Sequence, residues 1–179
     1  MFGNDVLVVI DMQNDFINGS LGTKEAQAIV PTVCEVIKAH QGLIYYTQDT
    51  HHDDYFETQE GHYLPVAHCQ KDSDGWQLHP EVGALLKRKM ARKFEKDGFG
   101  SLALAETLQM SHANQPMTSI TLVGLCTDIC VIANAMLIKS ALPNVPLYIR
   151  ADACAGVTPE SHQTALSAME MCQMAIRHG

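Results

Sequence analysis

The chain has 179 residues, enough for one domain with its own core and no need of disulfide staples. Its apolar share of 46% and charged share of 18% are those of a globular protein. A net charge of −8 without a long basic run argues against nucleic acid or an anionic membrane surface as partner.

In chain order, DVLVVID (5–11) reads as a buried strand and 24–40 as an amphipathic helix. The run before Asp11 is too short for a secretion signal, and no stretch approaches the ~18 apolar residues of a spanning helix. A cytoplasmic location is therefore the default expectation. GLIYYTQD (42–49) is a second strand, followed by an irregular stretch, 51–78, rich in His, Asp and Gly. A loop of that length inside a domain is usually functional. Next come a helix over 80–87, a more polar strand MARKFEK (90–96) nearer an edge, and a helix over 101–112. SITLVGL (119–125), a helix over 127–141, VPLYIRAD (145–152) and a helix over 159–176 complete the chain. Ser101 and Thr158-Pro159-Glu160 are helix-start signals. This alternation predicts a Rossmann-like α/β/α domain spanning 1–179, its sheet mainly parallel.

Four strands then end on reactive groups: Asp11, Asp49, Lys96 and the turn Gly124-Leu125-Cys126-Thr127-Asp128-Ile129-Cys130. In open parallel sheets, ligands sit beyond those strand ends. In a cytoplasmic protein the six cysteines (Cys34, Cys69, Cys126, Cys130, Cys154, Cys172) are expected as thiols, ligands or a nucleophile, and no CxxC pair signals a redox motif or zinc ribbon. Cys130 falls in the first turn of the helix after 119–125, where the helix N-terminus is expected to lower a thiol pKa. Singly, a cysteine on an apolar helix is a core filler, an acid closing a strand is a turn former, and a lysine there is solvated. Their convergence points to a nucleophile with an acid and a cation beside it.

VVIDMQNDF, KDGFGS and LVGLCTDICV resemble, in order and spacing, the three signature segments of the nicotinamidase/isochorismatase-like hydrolases. IRADACAGVTPESHQTAL (149–166) is similar to that family's closing strand and helix, so the resemblance covers nearly the whole chain. It implies Cys130 as nucleophile, Asp11 as general base and acid, and a catalytic lysine. It also implies a non-proline cis peptide between Leu125 and Cys126, with the amides of Cys126 and Cys130 as oxyanion hole. Lys96 stands at the family's spacing before Phe99-Gly100-Ser101. Lys93 is three residues away and, on an extended strand, faces the other side, so Lys96 is chosen and Lys93 is the alternative if the strand ends earlier.

Asp49-x-His51 puts two ligand-type side chains on one extended face, with Glu60 and His68 further along the loop. Scattered histidines in a polar loop are the plain alternative, but the loop resembles the metal loop of nicotinamidases. Many members carry a histidine where this chain has Glu57, and Glu60 matches the family's other variant. The implied cofactor is a divalent transition metal, zinc first and iron or manganese otherwise. Phe16, Trp76 and Leu125 are candidate substrate contacts, the two aromatics as walls for a flat ring.

The expected partner is a small-molecule amide, nicotinamide being the first candidate, and a homo-oligomer is compatible with everything above. The rivals are another chemistry on this scaffold, such as carbamoyl-amide hydrolysis, and a non-enzymatic Cys/His metal or redox module.

Overall fold

In a computed structural model that describes residues 4–179, the central strand is β1 (Asp5–Ile10). Val6, Val8 and Ile10 enter one apolar cluster, while Leu7 and Val9 enter another. A strand buried on both faces needs a covering layer on each, which explains its unbroken apolar run. The other strands are β2 (Leu43–Asp49), β3 (Arg92–Lys96), β4 (Ser119–Leu125), β5 (Leu147–Ala155) and β6 (Ala175–Arg177). They form one sheet in the order β3-β2-β1-β4-β5-β6, with every pairing parallel.

The helices are α1 (Asn14–Ile17), α2 (Lys24–Ala39), α3 (Gln59–Tyr63), α4 (Pro80–Arg88), α5 (Leu102–Asn114), α6 (Ile132–Ala141) and α7 (Pro159–Met171). One face of the sheet is covered by α1, α2 and α4 through Phe16, Ile17, Val33, Ile37, Val82 and Leu86. The other is covered by α5, α6 and α7 through Leu104, Leu108, Ala135, Ile138, Leu166 and Met169. Burying a side chain of this size contributes roughly 1.5–3 kcal/mol, so the three layers are held mainly by these two clusters. No described helix is long and apolar enough to cross a membrane.

The chain fills the sheet from β1 through β2 to β3, then crosses back to β4, β5 and β6. The order therefore reverses between β1 and β4, and such a switch point opens a crevice beyond the strand ends. Gly124 is what lets the two strands close up there. It has φ +121, and a Cβ would lie 2.1 Å from the Ile10 carbonyl oxygen.

Several element expectations need correction. The helix expected over 159–176 stops at Met171, because Gln173 takes φ 65 and the chain turns back to add β6 beside β5. The strand expected over 145–152 runs from Leu147 to Ala155. The helix expected over 127–141 begins as a wide turn with π-type hydrogen bonding, Thr127–Val131, ahead of α6. The stretch 51–78 holds a 3-10 turn, Tyr55–Glu57, and α3, so it is less irregular than its composition suggests.

Candidate active site

Asp11 directly follows β1 with φ 45 and is fully buried. Thr47, on the adjacent β2, donates to its Oδ1 at 2.7 Å, while Lys96 Nζ is 2.7 Å from Oδ2. Lys96 closes β3, where Phe94 and Lys96 point inward and Lys93 and Glu95 outward. Its ammonium also donates to Asp49 Oδ1 at 2.9 Å, to the Gly98 carbonyl at 3.0 Å and toward Cys130 Sγ at 3.5 Å. Lys93 instead pairs with Glu95 at 2.6 Å on the opposite face. The structure thus brings Asp11, Lys96 and Cys130 together and leaves Lys93 out.

Burial works to neutralise Lys96, but the surrounding Asp11, Cys130 and Asp49 outweigh it and hold the lysine firmly charged. Burial raises the Asp11 carboxyl above its usual range, with Asp49 adding to the rise and Lys96 opposing it. The Cys130 thiol is pushed up by burial and by Asp11, which together exceed the pull of Lys96. This corrects the expectation of a helix-lowered thiol pKa. Cys130 lies in the wide turn ahead of α6, and its surroundings favour the protonated form.

Asp49, His51, Glu60 and His68 converge beside this group, with one ligand atom from each lying within 4.8 Å of the others. His68 Nδ1 is 2.8 Å from the Val66 carbonyl, a contact it makes as donor. In the neutral ring, Nε2 then turns a lone pair toward Glu60 Oε1 at 3.6 Å and Asp49 Oδ2 at 3.8 Å. His51 Nε2 is buried with no aligned hydrogen bond, although Asp49 Oδ2 is 3.0 Å away. Lone pairs and carboxylates facing one another need a cation between them, so these four residues fit a metal ion. Cys69 is buried outside the cluster; burial and nearby carboxylates push its thiol far up, away from the thiolate a ligand requires.

Residues 5–178 match the Isochorismatase domain. The chain belongs to the isochorismatase family. A search among curated proteins gives no match. Among solved structures, a nicotinamidase from Bacillus subtilis is similar over 97% of this chain and 98% of its own, with 24% identity and a TM-score of 0.81. A pyrazinamidase from Pyrococcus horikoshii, solved in complex with zinc, is 24% identical over 98% and 99% of the two chains, with a TM-score of 0.79. An N-carbamoylsarcosine amidase from Thermoplasma acidophilum is 24% identical over 97% and 95%, with a TM-score of 0.72. At these identities the likeness establishes the fold.

In this isochorismatase-family hydrolase, Cys130 and three residues of the second cluster, Asp49, Glu60 and His68, line one cavity of about 740 Å³. Asp49, Glu60, His68, Cys126 and Cys130 supply its reactive floor, and Phe16, Leu21, Leu64, Phe99 and Ile129 are among its apolar walls. Of the three expected substrate contacts, Phe16 lines this cavity, whereas Trp76 and Leu125 are buried and do not line it. Trp76 donates its indole N–H to Thr50 Oγ1 at 2.9 Å, and Leu125 has no exposure. The Leu125–Cys126 peptide is cis.

Three buried polar side chains that the sequence reading passed over hold this site. Thr47 positions Asp11, and its offset of two from Asp49 on β2 was a usable sign of a shared face. Gln13 donates to the Asp49 carbonyl at 2.8 Å and accepts from the Asp49 N–H at 2.7 Å, fixing the first residue of the cluster that fits a metal. Asn134 donates to the Cys130 and Phe99 carbonyls and accepts from the Ser101 N–H, tying Cys130 to the segment that follows Lys96. Gln13 lies inside the segment VVIDMQNDF, although its spacing gives it no role of its own, and nothing in a one-dimensional pattern marks Asn134.

Proposed function

We propose that this chain is a cysteine amidohydrolase of small, neutral, planar carboxamides, with nicotinamide the first substrate to test. The observation that carries the reading is Lys96 Nζ, which touches both the Asp11 carboxylate and Cys130 Sγ at the floor of an apolar-walled cavity. Asp11 takes the thiol proton as Sγ attacks the amide carbon. This transfer leaves the buried group's net charge unchanged, and Lys96 stabilises the anion on either partner. The amides of Cys126 and Cys130 receive the carbonyl oxygen's developing charge, each such donor being worth about 3–4 kcal/mol. Asp11 returns the proton to the leaving nitrogen, the C–N bond breaks, and ammonia departs from a thioester. Water then attacks the thioester with Asp11 accepting its proton, the C–S bond breaks, and the acid leaves as the thiol recovers its hydrogen.

Asp49, His51, Glu60 and His68 would hold a divalent transition metal, zinc first given their mixed oxygen and nitrogen donors. Bound there, the metal supplies Lewis-acid attraction for a ring nitrogen or a water.

The cavity lining favours a neutral substrate. It contains no arginine or lysine, while Asp49 and Glu60 are both on its floor. A carboxylate-bearing carbamoyl amide would find no arginine or lysine there to pair with, since Lys96 is already matched by Asp11 and Asp49, and a divalent metal held at the cluster would have its charge offset by Asp49 and Glu60. Carbamoyl-amide hydrolysis is therefore the second reading. A metal-storing or redox module has no use for this buried ion-paired lysine.

A screen for ammonia release from nicotinamide, pyrazinamide and carbamoyl compounds, and for pyruvate release from isochorismate, with and without chelator, tests the reading. Release from the neutral aromatic amides, abolished by Cys130→Ala and only mildly reduced by Cys126→Ala, is the expected result. Preference for the carboxylate-bearing compounds would overturn it, as would equal loss in the two cysteine variants.

A further inference from the structure

Asn134 has no exposed surface, lies in the first turn of α6, and spends its whole amide on backbone partners. Its Nδ2 donates to the Cys130 carbonyl at 2.8 Å and to the Phe99 carbonyl at 3.2 Å, while Oδ1 accepts the Ser101 N–H at 3.0 Å. Cys130 carries the thiol. The segment from Phe99 to Ser101 continues from Gly98, whose carbonyl accepts from Lys96 Nζ at 3.0 Å. That segment also lies tight on α6, since a Cβ at Gly100 would come within 2.6 Å of Leu137 Cδ1. One side chain thus joins the turn that bears the nucleophile to the loop that holds the lysine.

We propose that Asn134 is a positioning residue that sets the Lys96–Cys130 geometry and fixes Phe99 as a cavity wall. This rests on the amidohydrolase reading but assigns a role to a residue that touches neither substrate nor reacting atoms. The chemistry of the position is restrictive. It needs two donors and one acceptor in one planar group, which an asparagine amide provides. Leucine has a similar size and no hydrogen bonds, and an ionised aspartate offers no donor to the two carbonyls. The contact it governs is sensitive: Nζ and Sγ are 3.5 Å apart, and a misplacement of ~1 Å in a catalytic group can cost about 10²-fold in rate.

The test uses the full chain with Asn134→Leu and Asn134→Asp. Amide hydrolysis and the pH dependence of Cys130 alkylation by iodoacetamide are measured, with Cys130→Ala as the alkylation blank. Asn134→Leu should lower kcat by roughly 10- to 100-fold with little change in KM, and shift the alkylation midpoint to higher pH. Asn134→Asp should be impaired at pH 8 and recover toward wild type as the pH falls, because a buried carboxyl that keeps its proton can donate to one carbonyl again. A purely structural residue would not produce that recovery. If both variants fold and keep the wild-type kcat and alkylation profile, the proposal fails. If Asn134→Leu does not fold, a pH profile of Asn134→Asp parallel to wild type defeats it equally. Should the wild type release no ammonia from any amide, the amidohydrolase reading falls, and the alkylation profiles still decide the role of Asn134.

Discussion

Lys96 is the residue on which the site's electrostatics turn, since two carboxylates and a thiol surround one buried ammonium. Removing its charge leaves Asp11 and Asp49 facing the sulfur with nothing to offset them. Lys96→Met should therefore raise the Cys130 pKa further and slow alkylation near neutral pH, whereas Lys93→Met, on the far side of β3, should change little. The reverse ranking would transfer the role to Lys93. Asp11 carries a second residue-scale prediction. The proposed mechanism uses its carboxylate form, and burial raises its pKa above the ordinary 3.8. The acidic limb of kcat/KM should accordingly lie above that value, and activity should fall as pH drops through it. A limb at or below 3.8 would show that another group sets it. At this scale the sequence was informative wherever a periodicity applied. The odd offset between Lys93 and Lys96 separates them before any coordinates, because strand side chains alternate. Trp76 was misjudged because a loop has no period from which to read the direction of a ring. Gln13 and Asn134 owe their roles to backbone groups distant in sequence, which composition does not encode.

Among the elements, α7 and the turn Thr127–Val131 show how the backbone that bears Cys130 is held. His162 Nδ1 is 2.7 Å from the buried Thr127 hydroxyl, and Asp128 accepts from the Val157 N–H and from the Ser161 hydroxyl. The first turn of α7, capped by Thr158, is thereby fastened to the turn that begins beside Cys126. Burial lowers the His162 pKa below 6.5, with His178 adding to the fall and Asp128 opposing it. The folded chain thus binds this proton more weakly than the unfolded chain. The associated stability is fully present above pH 6.5 and is lost as pH falls through the lower folded value. Thermal midpoints should decline from pH 6.5 toward 5, and His162→Asn, whose side-chain amide can stand in for Nδ1, should reduce the slope. His40 is also lowered, by burial and against the pull of Asp5, so His40→Asn should remove part of the remainder. Identical slopes in the wild type and His162→Asn would dissociate His162 from the effect. The elements that the sequence made legible are those with long apolar periods: β1, β2, β4, α2 and α5. The short β6 was folded into the preceding helix because its three residues carry too little pattern to compete with helical spacing, and the break depends on a single left-handed residue, Gln173.

At the scale of the whole molecule, the reversal of strand order between β1 and β4 gathers residues remote in sequence into one crevice. Asp49 joins its two halves: Oδ1 accepts from Lys96, while Oδ2 faces His51 and His68. Burial tends to raise this carboxyl, but contacts with His51 and Lys96 prevail and keep it below the usual range, in the anionic form a metal requires. The prediction is about one divalent transition metal per chain, held by Asp49, His51, His68 and Glu60. His51→Ala and His68→Ala should each lose most of it, whereas Cys69→Ser should keep it. Affinity should decline as the pH falls, because a proton competes with the metal for the His68 ring, where burial opposes protonation but contacts with Glu60 and the Val66 carbonyl prevail and raise the pKa. Because an ion that binds only the folded chain stabilises it by mass action, free metal at a hundred times its dissociation constant adds about 2.7 kcal/mol, and chelation should lower the thermal midpoint accordingly. Elemental analysis of the three variants, with thermal scans before and after chelation, distinguishes the possibilities. Full metal content surviving both histidine changes would abolish the site, and loss on the Cys69 change alone would move the ligand to the thiol next to His68.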